Sequence, residues 1–281
     1  MKKNYFLTII TITKDDSAGL EKTINSIPLD SDHVEIIIID GSLNKIGSTK
    51  NTNKYLEEYH ENYIIKKQKS KGLFEAMNEG LTLAKGEWVI FMNGGDEFDK
   101  NIKFKYLKNT LNNKYNCFIF QTEIYSKNLS RRIGINPPYI NKNKDAWEFL
   151  LKVFPSVFWP SHQSIIFNTK EHREIMYPSN PIGSDQLVLS NFLKGNYKTI
   201  KLILSKTDTS GISSIPPQSF KQYYTQINSS INLGQYRRFV KLTILFLLKG
   251  VLNGSNYDRY RLAKYKVIDI IGFIFKREEK N

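Results

Sequence analysis

Short apolar runs rich in β-branched residues alternate with amphipathic stretches along the first hundred residues of the chain. Residues 6–13, 34–40, 63–65 and 88–93 read as strands, because runs of this length and composition between turn residues fit a buried sheet. Between the first two, Leu20, Ile24 and Ile27 recur at helical spacing. Asp16 and Ser17 stand ready to cap that helix, and Pro28 and Asp30 close it. The clearest helix covers residues 73–85, with Leu73, Met77, Leu81 and Ala84 on one stripe and Gly86 at its end. This alternation predicts an α/β fold with a mainly parallel sheet.

After Asp99 the pattern becomes mixed. Lys/Asn-rich stretches, the break Asn136-Pro137-Pro138 and a strand candidate at 164–167 predict a second lobe reaching to about residue 212. Pro216-Pro217 marks a boundary, beyond which residues 223–249 and 257–275 read as two helical segments. The expected division is 1–110, 111–215 and a helical C-terminal extension, 216–281.

Composition adds little until charge is located. The 281 residues are 40% apolar and carry 41 Lys and Arg against 27 Asp and Glu, a net charge of +14. Half of that excess lies in residues 236–281, which hold 11 basic and 4 acidic side chains. An excess of this sign favours anionic partners. Arg237, Arg238, Lys241 and Lys249 surround Phe239, Leu242, Leu245, Phe246 and Leu248, a pattern that fits a helix lying on an anionic bilayer or one packed on the protein with its lysines in water. The apolar stretch 242–248 falls far short of the ~20 residues of a spanning helix, and the N-terminus lacks the apolar region of a signal peptide. A cytoplasmic protein, peripheral on the membrane in the first of those readings, is expected. Cys117 has no partner for an internal disulfide and reads as a small buried residue.

Candidate chemistry lies where strands end, because ligands of parallel α/β sheets bind beyond the carboxyl ends. The first strand ends in Thr11-Ile12-Thr13-Lys14-Asp15, the second in Asp40-Gly41-Ser42, and the fourth in Asn93-Gly94-Gly95-Asp96-Glu97. Asp40 can accept hydrogen bonds from a base or ribose, or satisfy its own turn. The acidic loop after the fourth strand offers hard oxygen donors suited to Mg²⁺ or Mn²⁺ held together with phosphates. Ser70-Lys71-Gly72 opens the best helix, where free N–H groups favour an anion, or simply a cap.

Four segments in order resemble the family 2 inverting glycosyltransferases of the GT-A fold, and among them the bacterial enzymes of colanic acid, O-antigen and capsule synthesis. They are Leu7-Thr8-Ile9-Ile10-Thr11-Ile12-Thr13, Ile36-Ile37-Ile38-Ile39-Asp40-Gly41-Ser42, Lys71-Gly72-Leu73-Phe74-Glu75-Ala76-Met77-Asn78-Glu79-Gly80, and Phe91-Met92-Asn93-Gly94-Gly95-Asp96. The resemblance implies a nucleotide-sugar transferase with a Rossmann-like sheet. In it, 1–110 binds the nucleotide-sugar donor, 111–215 binds the acceptor, and a polyprenyl-diphosphate-linked saccharide is the acceptor. Asp40, Thr11 and Thr13 would line the nucleoside pocket with Lys71 and Gly72 beside it. Asn93, Gly94, Gly95 and Asp96 would stand at the diphosphate, with Asp96 on the Mn²⁺ or Mg²⁺. Two positions depart from the pattern: Asn93 replaces the first acid, and Ser70 replaces the acid before Lys71.

Inverting transfer requires a base for the acceptor hydroxyl. Gly183-Ser184-Asp185-Gln186 resembles the family's aspartate-bearing segment and makes Asp185 the candidate, with an N-terminal helix cap as its other reading. Trp159-Pro160-Ser161-His162-Gln163-Ser164 is similar to the family's His-Gln element. It offers His162 either to the donor diphosphate or to the core, and Trp159 to a sugar face or to the core. The departures leave a second class open, a non-catalytic protein that binds nucleotide sugar or membrane. Nucleic acid is not expected as a partner, since zinc spacing, basic heptads and aromatic RNA motifs are missing from the sequence.

Overall fold

The computed structural model describes residues 4–30, 32–43, 62–126, 131–137, 151, 159–179 and 184–209. The chain divides into two compact units. One comprises Met1–Phe120 with His162–Lys206, the other Gln121–Ser161 with Thr207–Asn281. This boundary differs from the expected one, for it puts His162 and Asp185 in the same unit as the first four strands. The helical segments expected beyond residue 216 lie outside the described residues.

In the first unit the strands are β1 (Leu7–Thr13), β2 (Val34–Asp40), β3 (Tyr63–Lys67), β4 (Trp88–Phe91), β5 (Glu97–Phe98), β6 (Cys117–Ser126, through Phe120), β8 (Ile165–Asn168) and β9 (Tyr197–Asp208, through Lys206). Their order in the sheet is β3-β2-β1-β4-β8-β6-β9-β5. The first four are parallel, whereas β8 runs antiparallel to both β4 and β6. Every residue of β1, β2 and β4 is buried, so these strands carry continuous apolar runs rather than alternation.

Helix α1 (Ser17–Asn25) starts where the Asp16 side chain accepts from Gly19 N at 2.8 Å, as its capping position predicts. Its Leu20 and Ile24 join Ile27 and the β1, β2 and β4 residues Leu7, Ile9, Ile36, Ile38, Trp88 and Ile90 in one core. Each such aliphatic side chain contributes roughly 2 kcal/mol when fully removed from water. Helix α2 (Leu73–Leu83) packs on β1 and β2. A Cβ on Gly80 would stand 2.5 Å from Ile10, so only glycine permits this approach. The buried stripe of α2 is Phe74, Ala76, Met77, Gly80 and Leu81, while Leu73 is 45% exposed. The expected stripe began one residue early, because the first residue of the helix reaches solvent at the ligand end of the sheet.

Helices α3 (Phe104–Thr110), α4 (Thr169–Glu174) and α5 (Ser184–Phe192) complete the unit. Arg173 of α4 donates to the carbonyls of Leu81 and Ala84 and so satisfies the C-terminal end of α2. In the second unit, β7 (Arg131–Asn136) pairs antiparallel with Thr122–Ser126 of β6, with an irregularity between Ile124 and Tyr125. Cys117 is buried in β6, and burial pushes its thiol pKa up. Among the described residues, no helix is long and apolar enough to cross a membrane.

Candidate functional site at the carboxyl ends of the parallel strands

Register sets the site. Thr13 pairs with Asp40, and Asp40 with Lys67, while Met92 N and Gly94 N continue the β4 ladder onto the carbonyls of Ile10 and Ile12. The four strands thus end side by side, and the residues singled out in the sequence share one edge. Asp40 is 6% exposed and accepts from Ser42 N at 2.9 Å; Ser42 Oγ in turn accepts from Asp15 N at 2.8 Å. These two bonds lock the ends of β1 and β2 together and hold Asp15 at a φ of 52°. Thr11 is fully buried, and its Oγ1 has no hydrogen-bond partner among the described residues. Thr13 Oγ donates to the Asp16 carbonyl at 3.3 Å.

The Asn93–Asp96 segment is a tight turn closed by Asp96 N donating to Asn93 O at 3.0 Å. Gly95 takes a φ of 97°, and a Cβ there would meet nothing within 4 Å. The glycine is therefore required by backbone conformation, not by space. Thr23 of α1 anchors the turn. Its hydroxyl lies 3.0 Å from Gly95 N, which donates to it, and 3.0 Å from the Asn93 carbonyl. Lys22 donates to the Gly95 carbonyl at 3.3 Å and pairs with Glu97 at 3.4 Å, bringing a cation to the rim of the turn.

Asp96 is 7% exposed, and the Asn93 Oδ1 is buried with no hydrogen-bond partner among the described residues. One carboxylate and one unsatisfied amide oxygen at the two ends of a short turn fit Mg²⁺ or Mn²⁺, ions that take their remaining oxygens from substrate phosphates and water. A self-sufficient metal cage is not built here: no three His, Cys, Asp or Glu side chains cluster as one among the described residues.

Antiparallel pairing of β8 with β4 delivers a further group. The one-turn 3₁₀ helix His162–Ser164 before β8 arrives beside the turn, where Gln163 Nε2 donates to Asp96 Oδ2 at 2.7 Å. Its neighbour His162 points into the core. His162 Nε2 lies 2.6 Å from the Tyr177 hydroxyl, and His172 Nε2 lies 3.0 Å from the same oxygen, with Phe91 packed against all three rings. A tyrosine hydroxyl has one proton, so one imidazole accepts it and the other donates its Nε2–H. Burial lowers the His162 pKa to about 4 and that of His172 to about 3, keeping both neutral. Burial, and then the charge of Asp185, raise the pKa of Tyr177. His162, read in the sequence as a contact for the diphosphate or a core residue, is 8% exposed and engaged by Tyr177.

Asp185 is the second residue of α5 and half-buried, so it lies within the first turn instead of capping the helix. A carboxylate in that place is favoured by the helix dipole. Ser184 Oγ donates to Pro178 O at 2.9 Å and ties the start of α5 to the Tyr177 segment, which Asn78 of α2 grips through both Tyr177 N and Tyr177 O.

At the start of α2, Gly72 has a φ of 128° and its carbonyl accepts from Gln68 Nε2 at 2.7 Å. Lys71 is exposed beside it. Glu79 accepts from Lys69 N, Ser70 N and Ser70 Oγ. Partial burial opposes its ionisation, but the Ser70 and Lys69 hydrogen bonds and the Lys69 charge outweigh that and lower its pKa. The serine that replaces the expected acid is therefore held by a carboxylate nine residues further along, well inside α2.

Residues 8–166 match the profile of Glycosyl transferase family 2, which covers more than half of the chain. The chain belongs to glycosyl transferase family 2. An uncharacterized glycosyltransferase of Mycoplasma genitalium is 29% identical over 160 residues, 53% of this chain and 51% of that protein. The chain thus spans about half the length of this curated relative. TarS of S. aureus resembles it in fold with a TM-score of 0.53 at 13% identity, over 92% of this chain and 70% of that one; a TarS structure with UDP-GlcNAc gives 0.51 at 16%, over 92% and 71%. A mannosyltransferase from Pyrobaculum calidifontis, in complex with GDP-Man and Mn²⁺, gives 0.52 at 13%, over 95% and 74%. The GT-A architecture expected from the four segments is the one these likenesses share with the family 2 chain.

Thr23, Gln68, Glu79 and Gln163 were not singled out in the sequence as site residues. Each acts through a hydrogen bond to a residue distant in the chain or to loop backbone, which neither periodicity nor spacing encodes. Only the position of Gln163 next to His162 gave a signal.

Proposed function

We propose that this family 2 chain transfers a hexose or N-acetylhexosamine from a nucleotide sugar, uridine-based, to a polyprenyl-diphosphate-linked saccharide, with inversion at the anomeric carbon. One observation carries the reading: Thr13, Asp40 and the Asn93–Asp96 turn end level on adjacent parallel strands, in the crevice where such sheets bind ligands. The fold relatives solved in complex with UDP-GlcNAc and with GDP-Man support a nucleotide sugar as the donor.

In this reading Thr11, Thr13 and Asp40 line the nucleoside, with Lys71 and Gly72 alongside. The Asn93-Gly94-Gly95-Asp96 turn faces the diphosphate, where Asp96 and Asn93 would hold Mn²⁺ or Mg²⁺. When bound, the cation supplies positive charge to the departing diphosphate. Asp185 accepts the proton of the acceptor hydroxyl as its oxygen bonds to the anomeric carbon, and the bond from that carbon to the diphosphate oxygen breaks. The nucleoside diphosphate leaves. The basic segment 216–281 would hold the protein against the anionic inner face of the cytoplasmic membrane, close to a lipid-linked acceptor.

A panel of nucleotide sugars with Mn²⁺, scored by thermal shift and followed by nuclear magnetic resonance of the product, tests this reading. A UDP-sugar should stabilise the protein. Asp96→Ala should abolish metal-dependent binding, and Asp185→Asn should lower turnover on the order of 10²-fold or more with binding retained. No binding or hydrolysis of any donor with Mn²⁺ or Mg²⁺ would defeat the proposal, and unchanged turnover in Asp185→Asn would remove Asp185 as the base.

A further inference from the structure

We propose that Gln163 is a positioning residue that presets the Asp96 carboxylate for a divalent cation and thereby offsets the missing first acid of the turn. This rests on the donor-site reading above. In the sequence the turn has a single carboxylate, with Asn93 at its other end. A turn with one acid has little intrinsic hold on a cation, so the orientation of that acid matters more than it would in an acidic pair.

The geometry points to Gln163 as the group that sets the orientation. Its Nε2 donates to Asp96 Oδ2 at 2.7 Å, across 67 positions of sequence, onto a carboxylate that is 7% exposed. Asp96 can turn little without breaking that bond. The donor itself is fixed from below. His162 and Ser164 on either side of Gln163 are buried, and His162 is bonded to the Tyr177 hydroxyl, which His172 also engages. Tyr177 is clamped to α2 by Asn78, whose amide donates to Tyr177 O at 2.8 Å and accepts from Tyr177 N at 3.0 Å. Phe74 stacks on the Tyr177 ring with centroids 5.4 Å apart. A rigid path thus runs from α2 through Tyr177 and His162 to Gln163 and ends on Asp96.

A residue that only filled space at this turn could be replaced by an apolar side chain of similar size. A positioning residue could not, since what matters is the N–H aimed at the carboxylate.

The test is a titration of Mn²⁺ into the full chain with saturating UDP, and in parallel GDP, followed by the electron paramagnetic resonance signal of free Mn²⁺. Gln163→Met, which keeps the side-chain volume, and Gln163→Ala should each weaken Mn²⁺ retention about tenfold. Asp96→Ala should abolish it. Retention within twofold of wild type in a folded Gln163→Met would overturn the proposal.

A second measurement needs no metal. Melting temperatures of wild type, Gln163→Met, Asp96→Ala and the double variant form a cycle, in which a direct contact makes the double loss smaller than the sum of the single losses. Additive melts would overturn the proposal even if Mn²⁺ binds. If wild type retains no Mn²⁺ with either nucleotide while the cycle is non-additive, the donor-site reading falls and the Gln163–Asp96 contact stands.

Discussion

The two adjacent glycines of the Asn93–Asp96 turn look equivalent in the sequence, yet the structure separates them. Gly95 sits at a φ of 97° with open space around its missing Cβ, whereas a Cβ on Gly94 would lie 3.4 Å from Thr13 Oγ1 in ordinary contact. Gly95→Ala therefore carries the cost of a left-handed backbone, about 1–2 kcal/mol, and Gly94→Ala much less. Thermal melts should show the larger loss for Gly95→Ala, and equal losses would mean that the turn relaxes to a different conformation. Residues of this kind were legible by type and place. Asp40 and Asp96 announce themselves just after apolar runs and Gly72 at the opening of the best helix, but the bond that each makes does not. Thr23 shows the difference, since in the sequence it is one polar residue on a helix whose apolar spacing draws attention to its neighbours.

Thr23 also shows how a whole element serves the site. Helix α1 packs its Leu20 and Ile24 into the core and thereby presents Thr23, fully buried, to the backbone of the turn. Thr23→Val keeps the shape but leaves Gly95 N without that acceptor and Asn93 O without that donor. A loss of about 0.5–1.5 kcal/mol is expected for the lost hydrogen bonding, since Gly95 N keeps the Gly19 carbonyl as acceptor and Asn93 O keeps Asp96 N as donor. Urea unfolding measures it, and a change under a few tenths of a kcal/mol would show that Gly95 N is satisfied by the Gly19 carbonyl alone, which accepts from it at 2.9 Å. Elements with continuous buried runs, β1, β2 and β4, were read from sequence within about two residues because burial on both faces leaves one interpretation. Strand β9, written Tyr-Lys-Thr-Ile-Lys-Leu-Ile-Leu-Ser-Lys-Thr-Asp, was missed because much of it is only partly buried and its lysines mask the apolar positions. Strand β6 takes its partner β8 from far along the chain, a pairing not written in local pattern, while β7 lies close to β6 in sequence but its Arg131, Arg132 and Gly134 mask the apolar positions.

For the molecule as a whole, the buried histidine pair links stability to pH. Unfolded histidine titrates near pH 6.5, while His162 and His172 are lowered by burial to about 4 and about 3. Between those values and pH 6.5 the unfolded chain binds more protons than the folded one, so stability rises with pH across this window and falls as the medium is acidified. From pH 7 to pH 5 each imidazole should contribute a loss of about 2 kcal/mol, roughly 4 kcal/mol together. The groups facing the pair include Tyr177, kept protonated by burial and by Asp185, so no nearby carboxylate bonded to either ring offsets the loss among the described contacts. Calorimetric melts at pH 7, 6 and 5 should show this decline, and His172→Phe should flatten it by about half even where it lowers stability at pH 7. A pH-independent melting temperature between 7 and 5 would mean that the imidazoles are solvated, and with that the rigid support beneath Gln163 and Asp96 would be lost.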